Sequence, residues 1–155
     1  MSKIEEAYNK FCIERFPLPS VHEVSELETR IAVTFPDDYR RFLLAFNGGY
    51  FREPRILPPI KECPLDRLTF MHGIRATHPT SELGSDADLA IFDDNNPPEV
   101  VPVGYTMMGG LILLVTHPEG FGEVLYKEPY GDFYFLADGI ERFFGLLREP
   151  PGDAR

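Results

Sequence analysis

Little in this sequence could build a disulfide scaffold, cross a membrane or grip phosphate. Only two cysteines occur, Cys12 and Cys63, far apart and outside any Cys-x-x-Cys spacing. Neither a disulfide framework nor a metal knuckle is expected from them, and free thiols in a reducing cytoplasm fit the pattern. Long apolar runs are missing too. The longest candidate, Leu111 to Val115, is strand-sized, whereas a bilayer span needs about 18 or more apolar residues. The N-terminus, MSKIEEAYNKF, is charged and amphipathic and carries no apolar signal region. A soluble, cytoplasmic protein is the expectation. Positive charge is the remaining deficit: 15 basic residues against 25 acidic ones leave a formal net charge of −10. Nucleic acid and anionic membrane surfaces would be repelled, so neither is an expected partner, while a basic protein would be attracted.

Catalytic signatures are equally scarce. His22, His72, His78 and His117 never form His-x-His, His-Glu-x-x-His or His-x-x-x-His, so no metal site is expected. There is no Gly-x-Ser-x-Gly elbow, and neither cysteine sits where its thiol would be activated. Gly48-Gly49 and Gly109-Gly110 are isolated pairs rather than a dinucleotide or Walker loop, so no cofactor is expected and the chain reads as a non-enzyme. The aromatics Tyr126, Tyr130, Phe133, Tyr134 and Phe135 have few cations beside them, which argues for packing rather than base stacking.

What is present is a well-patterned single domain over residues 1–155. Its 43% hydrophobic and 13% aromatic content suits a chain long enough to bury its own core. Ile4, Ala7, Tyr8, Phe11 and Cys12 share one face of a first helix. Ser20-Val21-His22-Glu23 has the form of a capping box opening a second, continued by Val24, Leu27 and Ile31. The third is the most regular. Tyr39, Phe42, Leu43 and Phe46 follow the i, i+3, i+4, i+7 spacing of one helix face. Pro36 precedes it at little cost, Asp37 and Asp38 place negative charge at its positive end, and Asn47-Gly48-Gly49 stops it with residues that tolerate positive φ.

The texture then changes. Prolines 54, 58, 59, 64 and 79 lead us to expect only short edge strands over residues 52–80. Strands are expected at Leu89–Phe92, Val100–Gly104, Leu111–Val115, Glu123–Lys127 and Phe133–Leu136, joined by short turns into an antiparallel meander. A last helix over Gly139–Leu147 would bury Ile140, Phe143, Phe144 and Leu147, and Glu149–Arg155 reads as a frayed tail. Helices, a meander and a closing helix make an α+β domain, with an antiparallel β-sheet meander packed against N-terminal helices and a C-terminal helix.

The ordered motifs resemble the SUKH superfamily, which includes bacterial toxin-immunity proteins and fungal cell-wall-assembly regulators. Carrying the resemblance are Phe35, Pro36, Asp38, Tyr39, Phe42, Leu43, Asn47, Gly48 and Gly49, then Val101-Pro102-Val103-Gly104, Gly109-Gly110-Leu111-Ile112-Leu113, Gly122-Glu123-Val124-Leu125-Tyr126, and Phe135-Leu136-Ala137-Asp138 with Phe143, Phe144 and Leu147. It spans residues 20 to 148 or so. Leu111 stands where the family usually has Asp, and Gly139-Ile140 replaces its Ser-Phe. The resemblance implies a non-enzymatic protein-binding domain in which Pro36, Asp38, Tyr39, Phe42, Leu43, Asn47, Gly48, Gly49, Pro102, Gly104, Gly110 and Asp138 are structural. It further implies an immunity protein neutralising a polymorphic toxin, often a nuclease or deaminase; a regulatory or scaffolding adaptor without a toxin partner is the alternative. Asp86, Asp88, Asp93, Asp94 and Glu99 form the richest acidic constellation. It reads either as an ordinary solvated turn or as the docking surface for a basic toxin domain.

Overall fold

The computed structural model describes residues 2–85 and 99–150. Helix α1, Lys3–Phe11, starts where the Ser2 hydroxyl accepts from the Glu5 amide and buries Ile4, Ala7, Tyr8 and Phe11. It runs directly into strand β1, Cys12–Arg15, a strand the sequence pattern does not announce. Helix α2, Val21–Ile31, opens on the expected capping box. Ser20 Oγ accepts from Glu23 N at 3.1 Å, and Ser20 N donates to the Glu23 carboxylate at 2.9 Å, satisfying two of the donors that a helix start leaves free. Helix α3, Asp37–Ala45, follows Pro36 and buries Tyr39, Phe42 and Leu43, while Phe46, just past its end, is half-buried.

Strands β2 (Gly49–Phe51), β3 (Arg55–Ile56) and β4 (Asp66–Met71) follow. Then come β5 (Val100–Thr106), β6 (Leu111–Val115), β7 (Val124–Lys127) and β8 (Phe133–Ala137). Helix α4 (Ile140–Phe144) and strand β9 (Leu147–Arg148) close the described chain. Every named strand pairing is antiparallel, in the order β1-β2-β4-β5-β6-β7-β8, with β3 bridging β4 to β9. The sheet is open rather than a barrel, and the expected α+β meander is present in β5 to β8.

Three expectations need correcting. The proline-rich stretch holds a six-residue interior strand, β4, flanked by β2 and β5. Its prolines fall outside Asp66–Met71, so no ladder donor is lost. The last helix is shorter than expected: Leu147 is buried from β9, opposite Ile56, rather than from a helix face. Glu149 is not frayed, because Arg55 Nε donates to its carbonyl at 2.8 Å and Arg52 Nη2 lies 3.6 Å from its carboxylate. The strand expected at Leu89–Phe92 lies outside the described residues.

One core joins both layers. Tyr8, Phe42, Phe51 and Phe144 meet at ring-centroid distances of 5.1 to 6.2 Å. Leu68, Val101, Val103, Ile112, Leu114, Val124 and Tyr126 supply the sheet's share. Across the strands, a second aromatic row runs Phe16, Tyr50, Phe70, Tyr105, with Phe70 and Tyr105 stacked at 5.4 Å and 19°.

Candidate functional site

The family-type motif residues sit at backbone crossings. Asn47 adopts φ 55 and is fully buried. Its Nδ2 donates to Pro17 O at 2.7 Å and Ile74 O at 2.8 Å, and its Oδ1 accepts from Ile74 N at 2.8 Å. The side chain thus ties the stop of α3 to two distant loops. Gly48 (φ 80) passes so close to the end of β4 that a Cβ there would lie 2.5 Å from both His72 O and Met71 O. The Gly48 carbonyl in turn accepts from the Tyr8 hydroxyl at 3.0 Å. Gly49 pairs with Arg15 and Met71.

Further along, Pro102 lies inside the sheet without breaking it, because the β5–β6 register shifts between Pro102 and Gly104. A bulge is where a sheet tolerates a residue with no N–H. Gly104 leaves room for Met71 Sδ and Ile112. Gly110 leaves room for the Tyr126 ring, which would stand 2.6 Å from a Cβ there. Asp38 lies against Gly139 at the start of α4. Asp138 is exposed and 3.4 Å from Arg142 Nε, a surface pair worth little.

Of the acidic constellation, Glu99 is described; Asp86, Asp88, Asp93 and Asp94 lie outside the described residues. Glu99 is exposed at the entry to β5. Its carbonyl accepts from Thr116 N and His117 N at 2.8 and 3.1 Å, and its carboxylate lies 3.6 Å from His117 Nε2. His117 Nδ1 accepts from Glu119 N at 3.1 Å. Glu99 is therefore fastened to the β6–β7 turn, and two carboxylate-bearing residues share one end of the sheet.

A buried carboxylate, Asp66, escaped the sequence reading. Its Oδ1 accepts from Arg67 N at 2.8 Å and Met108 N at 3.1 Å; its Oδ2 accepts from Thr106 Oγ1 at 2.5 Å and Tyr126 Oη at 2.7 Å. Four donors converge on two oxygens, the arrangement that makes a buried carboxylate tolerable. Burial, and then the hydrogen bond to Asp66, raise the Tyr126 phenol far above its ordinary pKa, so it stays a donor. The available signal was strand periodicity, since Asp66 and Leu68 occupy alternate buried positions in β4.

The thiols are not nucleophiles in waiting. Both cysteines are free; burial raises Cys12 and, with Glu128 and Asp66 adding to it, pushes Cys63 up to about 11. No group of His, Cys, Asp or Glu among the described residues could hold a metal ion, and no described helix is long and apolar enough to cross a membrane.

Comparison with known families matches residues 19–145 to the SMI1 / KNR4 family (SUKH-1), and the chain belongs to that family. The family covers both immunity proteins and SMI1/KNR4-like regulators, is generally non-catalytic and generally acts through protein interactions. No curated protein and no solved structure matched the chain.

Proposed function

We propose that this SUKH-1 domain is an immunity protein that binds a polymorphic toxin of the nuclease kind and blocks it sterically and electrostatically. The observation that carries this reading is the acidic balance, a net charge of −10, in a family that acts through protein partners. A nuclease needs a basic surface to hold phosphate, and an acidic protein is complementary to that surface. The docking face in this reading is the acidic constellation Asp86, Asp88, Asp93, Asp94 and Glu99, and His117 links Glu99 to Glu119.

Charge complementarity acts mainly on the association rate. With a cognate toxin, association should therefore slow as salt rises toward molar concentrations, where screening shortens to about 3 Å. Reversing Asp93 and Asp94 together to Lys should cut the rate at least about tenfold without changing the melting temperature. An unchanged rate and salt dependence would sink the acidic-face reading. A toxin-free adaptor of the regulator type is the second member of the same family's repertoire; failure of the protein to protect cells from toxins encoded beside it would favour that role.

A further inference from the structure

The opposite end of the sheet carries a different chemistry. Arg55 on β3 stands directly across from Arg67 on β4 and from Arg148 on β9, so three arginines form a row over three antiparallel strands. Like charges directly opposite in a sheet destabilise it, and this row sits in a chain whose net charge is −10. Among the described residues no carboxylate lies within ion-pair distance of any of the three. Arg55 and Arg148 donate to backbone carbonyls instead, at 2.8 Å to Glu149 O and 2.7 Å to Gly145 O. Arg67 makes no side-chain hydrogen bond among the described residues.

The row borders a groove of about 260 Å³ whose other wall is apolar; the Asp66 carboxylate also lines it, but both of its oxygens are taken by four donors of the chain itself. Leu65, Met107 and Met108 are 78, 47 and 62% exposed, and Leu57 is exposed beside them. The methionines are not on a loose loop. Met108 N donates to the buried Asp66 carboxylate, Met107 N to Arg67 O at 2.9 Å, and Gly109 N to Thr106 O at 3.1 Å. The turn thus holds two large, adaptable side chains in water, beside guanidiniums that meet no carboxylate partner among the described residues.

The geometry points to a docking groove for an extended acidic segment of another protein, in which carboxylates pair with Arg55, Arg67 and Arg148 while one or two apolar side chains enter between Leu65 and the Met107–Met108 turn. Planar guanidiniums suit carboxylates, which they engage through two parallel hydrogen bonds. The groove is below the range of about 300–1,000 Å³ usual for a small-molecule pocket, which fits side chains rather than a cofactor. Phosphate-bearing polymers would meet the same arginines, but the apolar wall gives them nothing, whereas an acidic segment with apolar side chains uses both walls; the local arginine row acts at contact range against the repulsion of the net charge. This surface lies at the other end of β5 from Glu99 and does not depend on the immunity reading.

The test is fluorescence anisotropy of the full chain with a labelled peptide of alternating Glu and Leu residues. Two control peptides replace every Glu with Lys or every Leu with Ser. The acidic-apolar peptide should bind, with affinity falling as salt rises, and both controls should bind at least tenfold more weakly. Arg67→Glu and, separately, Met108→Ser should each raise Kd at least tenfold. Arg67→Gln should weaken binding while leaving the melting temperature unchanged or higher, a split that a merely structural arginine would not give. Equal binding of the Glu and Lys peptides would overturn the proposal. So would unchanged Kd in Arg67→Glu and Met108→Ser, or no binding up to about 1 mM, roughly −4 kcal/mol. Preferential binding to phosphatidylserine vesicles or to a single-stranded oligonucleotide would overturn it in favour of a phosphate ligand.

Discussion

Asn47 and Asp66 are both buried polar side chains that tie distant segments together, yet they are satisfied in opposite ways. Every bond of Asn47 goes to backbone, at Pro17 and Ile74, so its partners exist whatever side chains those positions carry. Asp66 relies on two hydroxyls, Thr106 and Tyr126, which lie 40 and 60 positions away in the chain, and on two amides. One knot is neutral and is held by chain path. The other is a charged acceptor that works only because three strands bring its donors to it. Geometric constraint therefore dominates at Asn47 and Gly48, and electrostatic satisfaction dominates at Asp66.

The largest effect is expected where geometry dominates. Gly48→Val would drive a Cβ into two carbonyl oxygens at a backbone angle of φ 80. Backbone cannot yield as a side chain can, so a loss of about 4 kcal/mol or more is expected, read as a lowered denaturation midpoint. Asn47→Gly keeps the φ but deletes three hydrogen bonds, for a loss of about 2–3 kcal/mol. Were Gly48→Val milder than Asn47→Gly, the claim that close backbone approach rules this crossing would be broken.

At the second knot, Asp66→Ala strands four donors, and a loss of about 3–4 kcal/mol is expected. Asp66→Asn should lose less, since an amide oxygen still accepts while its NH₂ cannot. Denaturant titration of the two variants separates charge from shape: equal losses would mean that cavity, not electrostatics, sets the cost. Because Asp66 also anchors Met108, Asp66→Ala should loosen the Met107–Met108 turn as well, visible as faster amide exchange there.

The smallest effect has the opposite sign. The Tyr39 hydroxyl is buried and meets no hydrogen-bond partner among the described residues; burial alone raises its pKa far above the ordinary phenol value. Removing it in Tyr39→Phe should be neutral or stabilise by up to about 1 kcal/mol, since an unsatisfied buried group is removed at little change of shape. A clear destabilisation would show that Tyr39, like Asn47 and Asp66, has a partner of its own.

Local rules made much of the fold legible. The capping box at Ser20 and Glu23, the buried faces of α1 to α3 and the positive-φ stop at Asn47-Gly48 depend on residues within one or two turns of each other. The hairpin turns of β5 to β8 are legible for the same reason. Where partners are remote, legibility fell. The short β1 carries too few residues to show a period. The β4 strand was hidden by prolines that flank it without entering it, and Leu147 was assigned to a helix because its spacing fits one, although pairing with β3 claims it.

The candidate surfaces divide along the same line. The acidic excess and its richest segment could be read directly from the chain, because net charge is a sum that folding does not alter. The arginine row could not. Arg55, Arg67 and Arg148 lie in unremarkable local contexts and become neighbours only when β3 pairs with both β4 and β9. Likewise Asp66 is one aspartate among many until Thr106 arrives on the adjacent β5 and Tyr126 reaches it from β7, two strands further on. Helix faces, caps and the sign of the charge were settled by the sequence itself, since each depends on local spacing or a simple count. Which polar groups are satisfied, and which charges stand together, was decided only by tertiary structure, because strand pairing sets distances between residues that sequence separation does not constrain.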